Sequence, residues 1–203
     1  MTAPSSVPGR RLALSHLGVC CFDLPKMVDF YTRVLGMTRT DEGALPAPLS
    51  AELVFLTTDP GEHHQLVLVS GRQEGAVQDG PALGGSFGTA IFQLSFRLED
   101  LATLRRVRER LVEAGCKHVI PLDHGSSWSL YTRDPEGNAL EFVVDSPWYV
   151  AQPCGAPLDL SQDDAEILRR TEALCREKGG GEPYAAWRER TARRIADDQA
   201  GLR

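Results

Sequence analysis

The chain has 203 residues, 42% hydrophobic and 25% charged, and 22 Lys and Arg set against 28 Asp and Glu give a net charge of −6. That composition is globular, the charge has the wrong sign for a phosphate-backbone partner, and no apolar run approaches the roughly 18 residues a bilayer span needs. The N-terminal MTAPSSVPGRR lacks the apolar stretch of a secretory leader, and five cysteines with no CxxC spacing (Cys20, Cys21, Cys116, Cys154, Cys175) read as thiols of a reducing cytosol.

In chain order, the first predicted strand is SHLGVCCFDL, Ser15 to Leu24. Asp23 can cap the helix that follows, in which Met27, Phe30, Tyr31, Val34 and Leu35 fall at helical spacing and Gly36 stops the run. Strands broken at Gly43 to Pro48 and at Asp59 to Gly61 lead to TTDPGEHHQLVLVS, Thr57 to Ser70. A Gly-rich connector over 71–89 comes next.

Then the pattern is written again. FQLSFRLEDL (Phe92 to Leu101) repeats the first strand, and Asp100 lies 77 residues after Asp23. Leu101, Leu104, Val107, Leu111 and Val112 form the second helical stripe, ended by Gly115, and TRDPEGNALEFVVDS (Thr132 to Ser146) matches Thr57 to Ser70. Gly61 to Gln65 and Gly137 to Glu141 are both spaced by four residues. Each copy reads as strand, helix and three strands. The expected fold is α+β, with βαβββ modules at 12–70 and 90–146 pairing their sheets as one unit over 12–146. Residues 147–203 form a helical extension. Ser161 with Asp164 reads there as a capping box for a helix carrying Ile167, Leu168, Thr171, Leu174 and Cys175. After Gly179 to Gly181, Pro183 opens a second helix with Tyr184, Trp187, Thr191 and Ile195 on one face.

The duplication also aligns polar residues. His16 corresponds to Gln93, each seven residues before its Asp cap, and Gln65 corresponds to Glu141. Taken alone, a histidine such as His16 reads as a core residue more often than as a ligand. Glu141, among Leu140, Phe142, Val143 and Val144, requires a cation or strong donors, and a divalent metal at the sheet junction satisfies several such groups together. Tyr131 and Ser129 share strand parity, and one turn can bring Tyr131 beside Glu141. His124 can then arch over an open metal position as a proton shuttle, or merely cap a loop. His63 shares parity with Gln65 and could replace it as a donor. His64 is expected on the other side, both are expected at the surface beside a Gly turn, and His118 is read as structural.

These residues resemble the vicinal oxygen chelate superfamily, which includes glyoxalases, extradiol ring-cleaving dioxygenases, methylmalonyl-CoA epimerases and bleomycin-resistance proteins; the resemblance covers about 12–146. The run His124-x5-Leu130-Tyr131-x2-Asp134-Pro135-x-Gly137-x3-Glu141 is similar to the signature of the type I extradiol dioxygenases, with Leu122 departing from the residue usual two before the His. The resemblance implies an incomplete barrel, an Fe(II) site with His16 and Glu141 as ligands, and His124 and Tyr131 as acid/base and substrate-orienting groups. The family's second His ligand is Gln93 here. An amide oxygen is a harder, weaker donor than imidazole, so Mn, Zn, Ni or Co become alternatives to iron. The expected protein is a cytoplasmic homodimer acting on a catecholic or other vicinal-oxygen small molecule, without nucleic acid or membrane. Two alternatives stay open. One is a glyoxalase- or epimerase-type reaction through an enediolate, with Gln65 or His63 as a fourth ligand and Glu52 or Glu62 as base. The other is a metal-poor protein that sequesters a small ligand.

Overall fold

The computed structural model describes residues 13–48, 50–73 and 91–200. The N-terminal MTAPSSVPGRR and, from position 74, the Gly-rich connector expected over 71–89 lie outside the described residues.

Strand β1 (Leu17–Cys21) alternates outward and inward residues and leads into helix α1 (Leu24–Asp29). Asp23 starts that helix by accepting from the Lys26 N–H at 3.0 Å, and Pro25 tolerates the first turn because its missing donor would be unpaired there anyway. The helix loosens into a π turn over Phe30–Val34 and stops at Gly36, whose φ of +78° is open to glycine. Strands β2 (Thr38–Ala44), β3 (Glu52–Thr57) and β4 (Leu66–Ser70) complete the unit in the order β1-β4-β3-β2, with β1 parallel to β4.

The second unit repeats this wiring. Strand β5 (Leu94–Arg97) leads to α2 (Leu101–Glu113), capped by Asp100 on the Thr103 N–H at 2.7 Å and ended by Gly115. Strands β6 (Ile120–Asp123), β7 (Ser127–Arg133) and β8 (Ala139–Asp145) follow, and β5 lies parallel to β8 at the sheet edge. The α+β duplication expected from the sequence is therefore the architecture of the chain: two mixed, unclosed sheets, each backed by its own helix.

One core joins the two units. Met27, Tyr31, Leu56, Leu68, Leu104, Leu111, Leu130 and Leu140 are fully buried in it. The tight turn between β7 and β8 also reaches back to the first unit. Glu136 Oε1 accepts from the N–H groups of Phe22 and Asp23 at 2.9 Å each, and Tyr31 Oη donates to Asp134 Oδ2 at 3.0 Å. Burial, and then Asp134, push the Tyr31 phenol well above its ordinary pKa, so it stays a donor.

Beyond residue 146 come β9 (Trp148–Tyr149), β10 (Ala156–Pro157), α3 (Asp164–Glu177), β11 (Glu182–Pro183) and α4 (Tyr184–Ala200). β10 extends the second sheet by pairing with β6, and Leu158, Leu160 and Ile167 enter the common core. Two details differ from the sequence reading. Asp163, not Ser161, caps α3, accepting from Glu166 N at 2.8 Å, because Ser161 is held in a turn by Asp159. Pro183 pairs with Trp148 in β11, so α4 starts one residue later, with Trp187 stacked on Tyr149 at 5.3 Å and Ile195 exposed. Among the described residues no helix is long and apolar enough to cross a membrane.

Candidate active site

Strand register builds the site. Glu141 on β8 stands opposite Tyr131 on β7 and beside Ser95 on β5, so the three side chains share one sheet face. Gln93 precedes β5 by one residue and falls on that face by alternation. Glu141 is 9% exposed. Its Oε1 accepts from Tyr131 Oη at 2.5 Å and Ser129 Oγ at 2.8 Å, and its Oε2 accepts from Gln93 Nε2 at 2.6 Å and Ser95 Oγ at 2.5 Å. All four donors are neutral. Four donors fill the acceptor sites of this carboxylate, so a cation bound here would have to displace one of them.

His124 continues the parity of Ile120 and Leu122 past the end of β6, which carries it to the Tyr131 side. Its Nε2 lies 2.9 Å from Tyr131 Oη and its Nδ1 2.6 Å from the Cys154 carbonyl oxygen. A carbonyl only accepts, so Nδ1 carries a proton and, in the neutral ring, Nε2 carries the lone pair. Tyr131 has one proton, which it donates to Glu141, so in the neutral ring the Nε2 lone pair faces the phenol oxygen with no proton between them. Burial, followed by the hydrogen bond and charge of Glu141, raises the Tyr131 pKa and keeps that proton on the phenol. The three side chains lie in one line, Glu141–Tyr131–His124, with contacts of 2.5 Å and 2.9 Å.

His16 immediately precedes β1 as Gln93 precedes β5, and both line one cleft with Gln65 and Ser95. The cleft has a volume of about 860 Å³ and takes apolar walls from Leu94, Phe96 and Phe142. β1 and β5 are terminal strands of their sheets, so the cleft opens between two edges. His16 is exposed, with Nδ1 3.1 Å from Ser15 Oγ.

The register corrects one expected correspondence. Leu17 pairs with Leu66, and Leu94 with Leu140. Counted from these pairs, the counterpart of Glu141 on β4 is Val67, and Gln65 matches Ala139. From Gly61 to Val67 there are two more positions than from Gly137 to Glu141, so equal spacing from glycine did not mean equal position. Gln65 instead turns its Oε1 to the N–H and hydroxyl of Thr58, both at 2.9 Å. His63 and His64 also fall in the connection between β3 and β4, before the strand begins, so strand alternation does not govern them. His64 packs on the His16 ring at 4.2 Å rather than facing away, and desolvation, then the neighbouring His16 and His63, lower its pKa. His63 stays exposed, with Nδ1 2.9 Å from His64 Nδ1 and Nε2 3.9 Å from Asp41. His118 is exposed and adopts φ +55° ahead of β6.

Ser95 escaped the sequence reading, although it lies two residues from Gln93 and shares its strand face. The Cys154 carbonyl had no signal at all, since a backbone oxygen 30 residues from His124 carries no residue-type mark.

Among the described residues no three His, Cys, Asp or Glu side chains gather as a metal cluster. The position that mirrors His16 is a carboxamide. An imidazole nitrogen (His16), an amide oxygen (Gln93) and a carboxylate oxygen (Glu141) still suit a divalent cation, provided Gln93 turns its oxygen rather than its NH2 toward the ion.

A family model described as the Glyoxalase/Bleomycin resistance protein/Dioxygenase superfamily matches residues 13–142. Biphenyl-2,3-diol 1,2-dioxygenase 3 of Rhodococcus globerulus is 34% identical over 133 residues, covering 66% of this chain and 63% of that protein. Biphenyl-2,3-diol 1,2-dioxygenase 2 of the same organism is 29% identical over 146 residues, covering 66% of this chain and 70% of the relative. The chain thus spans less than two thirds of the first relative. A glyoxylase/bleomycin resistance protein/dioxygenase domain from Frankia sp. EAN1pec shares the fold at a TM-score of 0.53 and 22% identity, covering 66% of this chain and 98% of that one. With duplicated βαβββ units, a shared cleft and a family model covering more than half its length, this chain belongs to the Glyoxalase/Bleomycin resistance protein/Dioxygenase superfamily.

Proposed function

We propose that the protein is an extradiol-type, ring-cleaving dioxygenase for a catecholic small molecule, working with a divalent metal, Fe(II) in preference to Mn, Zn, Ni or Co. The observation that carries this reading is the line of contacts from Glu141 through Tyr131 to His124. The names of its two Rhodococcus relatives support it.

His16, Gln93 and Glu141 would hold the metal, which when bound would supply Lewis acidity at the vicinal oxygens of the substrate. The remaining chemistry belongs to side chains. His124 keeps a proton on Nδ1, so Nε2 is free to take a proton from a substrate hydroxyl and return it later. Tyr131 holds its own proton and donates it to Glu141, and its oxygen, 2.9 Å from His124 Nε2, fixes where the imidazole sits. In this reading residues 12–146 form the catalytic unit, 147–203 its extension, and the working state is a cytoplasmic homodimer, which sedimentation checks.

A second reading has its own observation. Gln93 Nε2 and three hydroxyls already fill both oxygens of Glu141, an arrangement that also suits a metal-poor binding protein. The enediolate alternative loses support, since Gln65 is engaged by Thr58 instead of being presented as a fourth ligand.

Metal analysis of untagged protein, followed by anaerobic Fe(II) addition and oxygen uptake with a panel of catechols including 2,3-dihydroxybiphenyl, separates these readings. Stoichiometric iron and oxygen consumption with a yellow ring-opened product is expected. Failure to retain or take up any divalent metal, with ligand binding unchanged by chelator, would overturn the dioxygenase in favour of the binding protein.

A further inference from the structure

The family match ends at residue 142, yet the loop that carries His124 is built against the extension beyond it. β10 pairs with β6 at Ala156–Asp123 and Pro157–Leu122, which lays the extension alongside the approach to His124. The Cys154 carbonyl accepts from His124 Nδ1, and Gln152 Nε2 donates to the His124 carbonyl at 2.9 Å and to Ser126 Oγ at 3.1 Å. Helix α3 supplies the anchor. Thr171 Oγ1, fully buried, donates to Asp123 Oδ2 at 2.6 Å and accepts from Trp128 Nε1 at 2.8 Å. Its single proton goes to that charged acceptor rather than to the Ile167 carbonyl at 2.9 Å. Asp123 Oδ1 in turn accepts from the Gly125 N–H at 2.7 Å and bends the loop. At Gly125, with φ +71°, a Cβ would sit 2.5 Å from Val150 Cγ1 and 3.0 Å from Cys175 Sγ, so loop and extension touch without clearance.

We infer that the extension is the positioning device for His124. The Cys154 carbonyl holds the imidazole in its Nδ1–H tautomer, and Thr171, a positioning residue acting through Asp123, holds the loop where that hydrogen bond forms. The two neutral tautomers of a free imidazole differ little in energy, so a neighbouring acceptor decides between them. In the other tautomer Nε2 would present a proton to Tyr131 and could accept none. The inference rests on the dioxygenase reading for the use made of His124. The geometry itself can be tested without substrate.

The test compares wild type, Thr171→Val and Thr171→Ser by long-range nitrogen–proton correlation spectra at alkaline pH, with His124→Gln identifying the resonances. Wild type should show His124 as one Nδ1–H tautomer. Thr171→Val should mix the tautomers and lower kcat by about tenfold to a hundredfold while KM changes little, as expected for a misplaced catalytic group. Thr171→Ser should restore both. A wild-type ring protonated on Nε2 overturns the inference whether or not Thr171→Val folds, and so does a folded Thr171→Val protein with an unchanged tautomer. Absence of oxygen uptake by wild type with every catechol would instead overturn the dioxygenase reading, leaving the tautomer to be decided by the spectra.

Discussion

At the residue scale, a carboxylate out of water must be compensated atom by atom. Glu141 meets that demand with two hydroxyl donors on Oε1 and one hydroxyl and one amide on Oε2. Tyr131→Phe removes a donor from the buried oxygen and the hydroxyl from His124. The expected cost is about 1–3 kcal/mol of stability by denaturant titration, and turnover should fall on the order of 10²-fold. A stability loss without any loss of turnover would reduce Tyr131 to a structural donor. Gln93 sits where an imidazole would complete a stronger nitrogen donor set. Gln93→His should tighten divalent-metal binding by at least about tenfold in calorimetry, since each good ligand and its orientation are worth that order. Unchanged affinity would take Gln93 out of the proposed ligand set. Much of this site was legible from residue type: a carboxylate in an apolar strand and a His and Tyr in a spaced motif. The correspondence of Gln65 with Glu141 did not hold, because strand position depends on how many residues the preceding connection holds.

At the scale of elements, local chemistry marks helix ends well. Asp23 and Asp100 cap, and Gly36 and Gly115 terminate, as their sequence positions imply. The start of α3 was less legible, because Ser161, Asp163 and Asp164 compete for one role and a turn at Asp159 removes the serine from contention. The first turn of α3 also has a predictable pH response. Hydrogen bonds from Arg169 and then Arg170 pull the Glu166 pKa down from 4.5 to about 2. A depressed carboxylate pKa favours the folded state above the unfolded pKa, and that contribution fades as pH falls toward the folded one. The Tm difference between wild type and Glu166→Gln should therefore be largest above pH 4.5 and shrink as pH falls toward 2. A difference that grows on acidification would contradict this assignment.

Across the whole molecule, two sheets, their helices and part of the extension share one core, so the extension is not an appendage. Ile167 is 2% exposed within that core. Ile167→Ala should cost about 2–5 kcal/mol in a single cooperative transition that also includes the duplicated units. A separate early transition for the extension would show independent folding. Composition, the 77-residue repeat and alternating apolar positions by themselves determined the duplicated α+β architecture, its helix boundaries and the candidates His16, Gln93, His124, Tyr131 and Glu141. Those signals are local, and local periodicity chooses a residue's element and face. Tertiary structure alone decided that Glu141 corresponds to Val67, that His64 packs on His16, and that a carbonyl of the extension orders His124. Register and backbone hydrogen bonding are fixed by where separate strands and loops meet, and backbone atoms look alike at every position in a sequence.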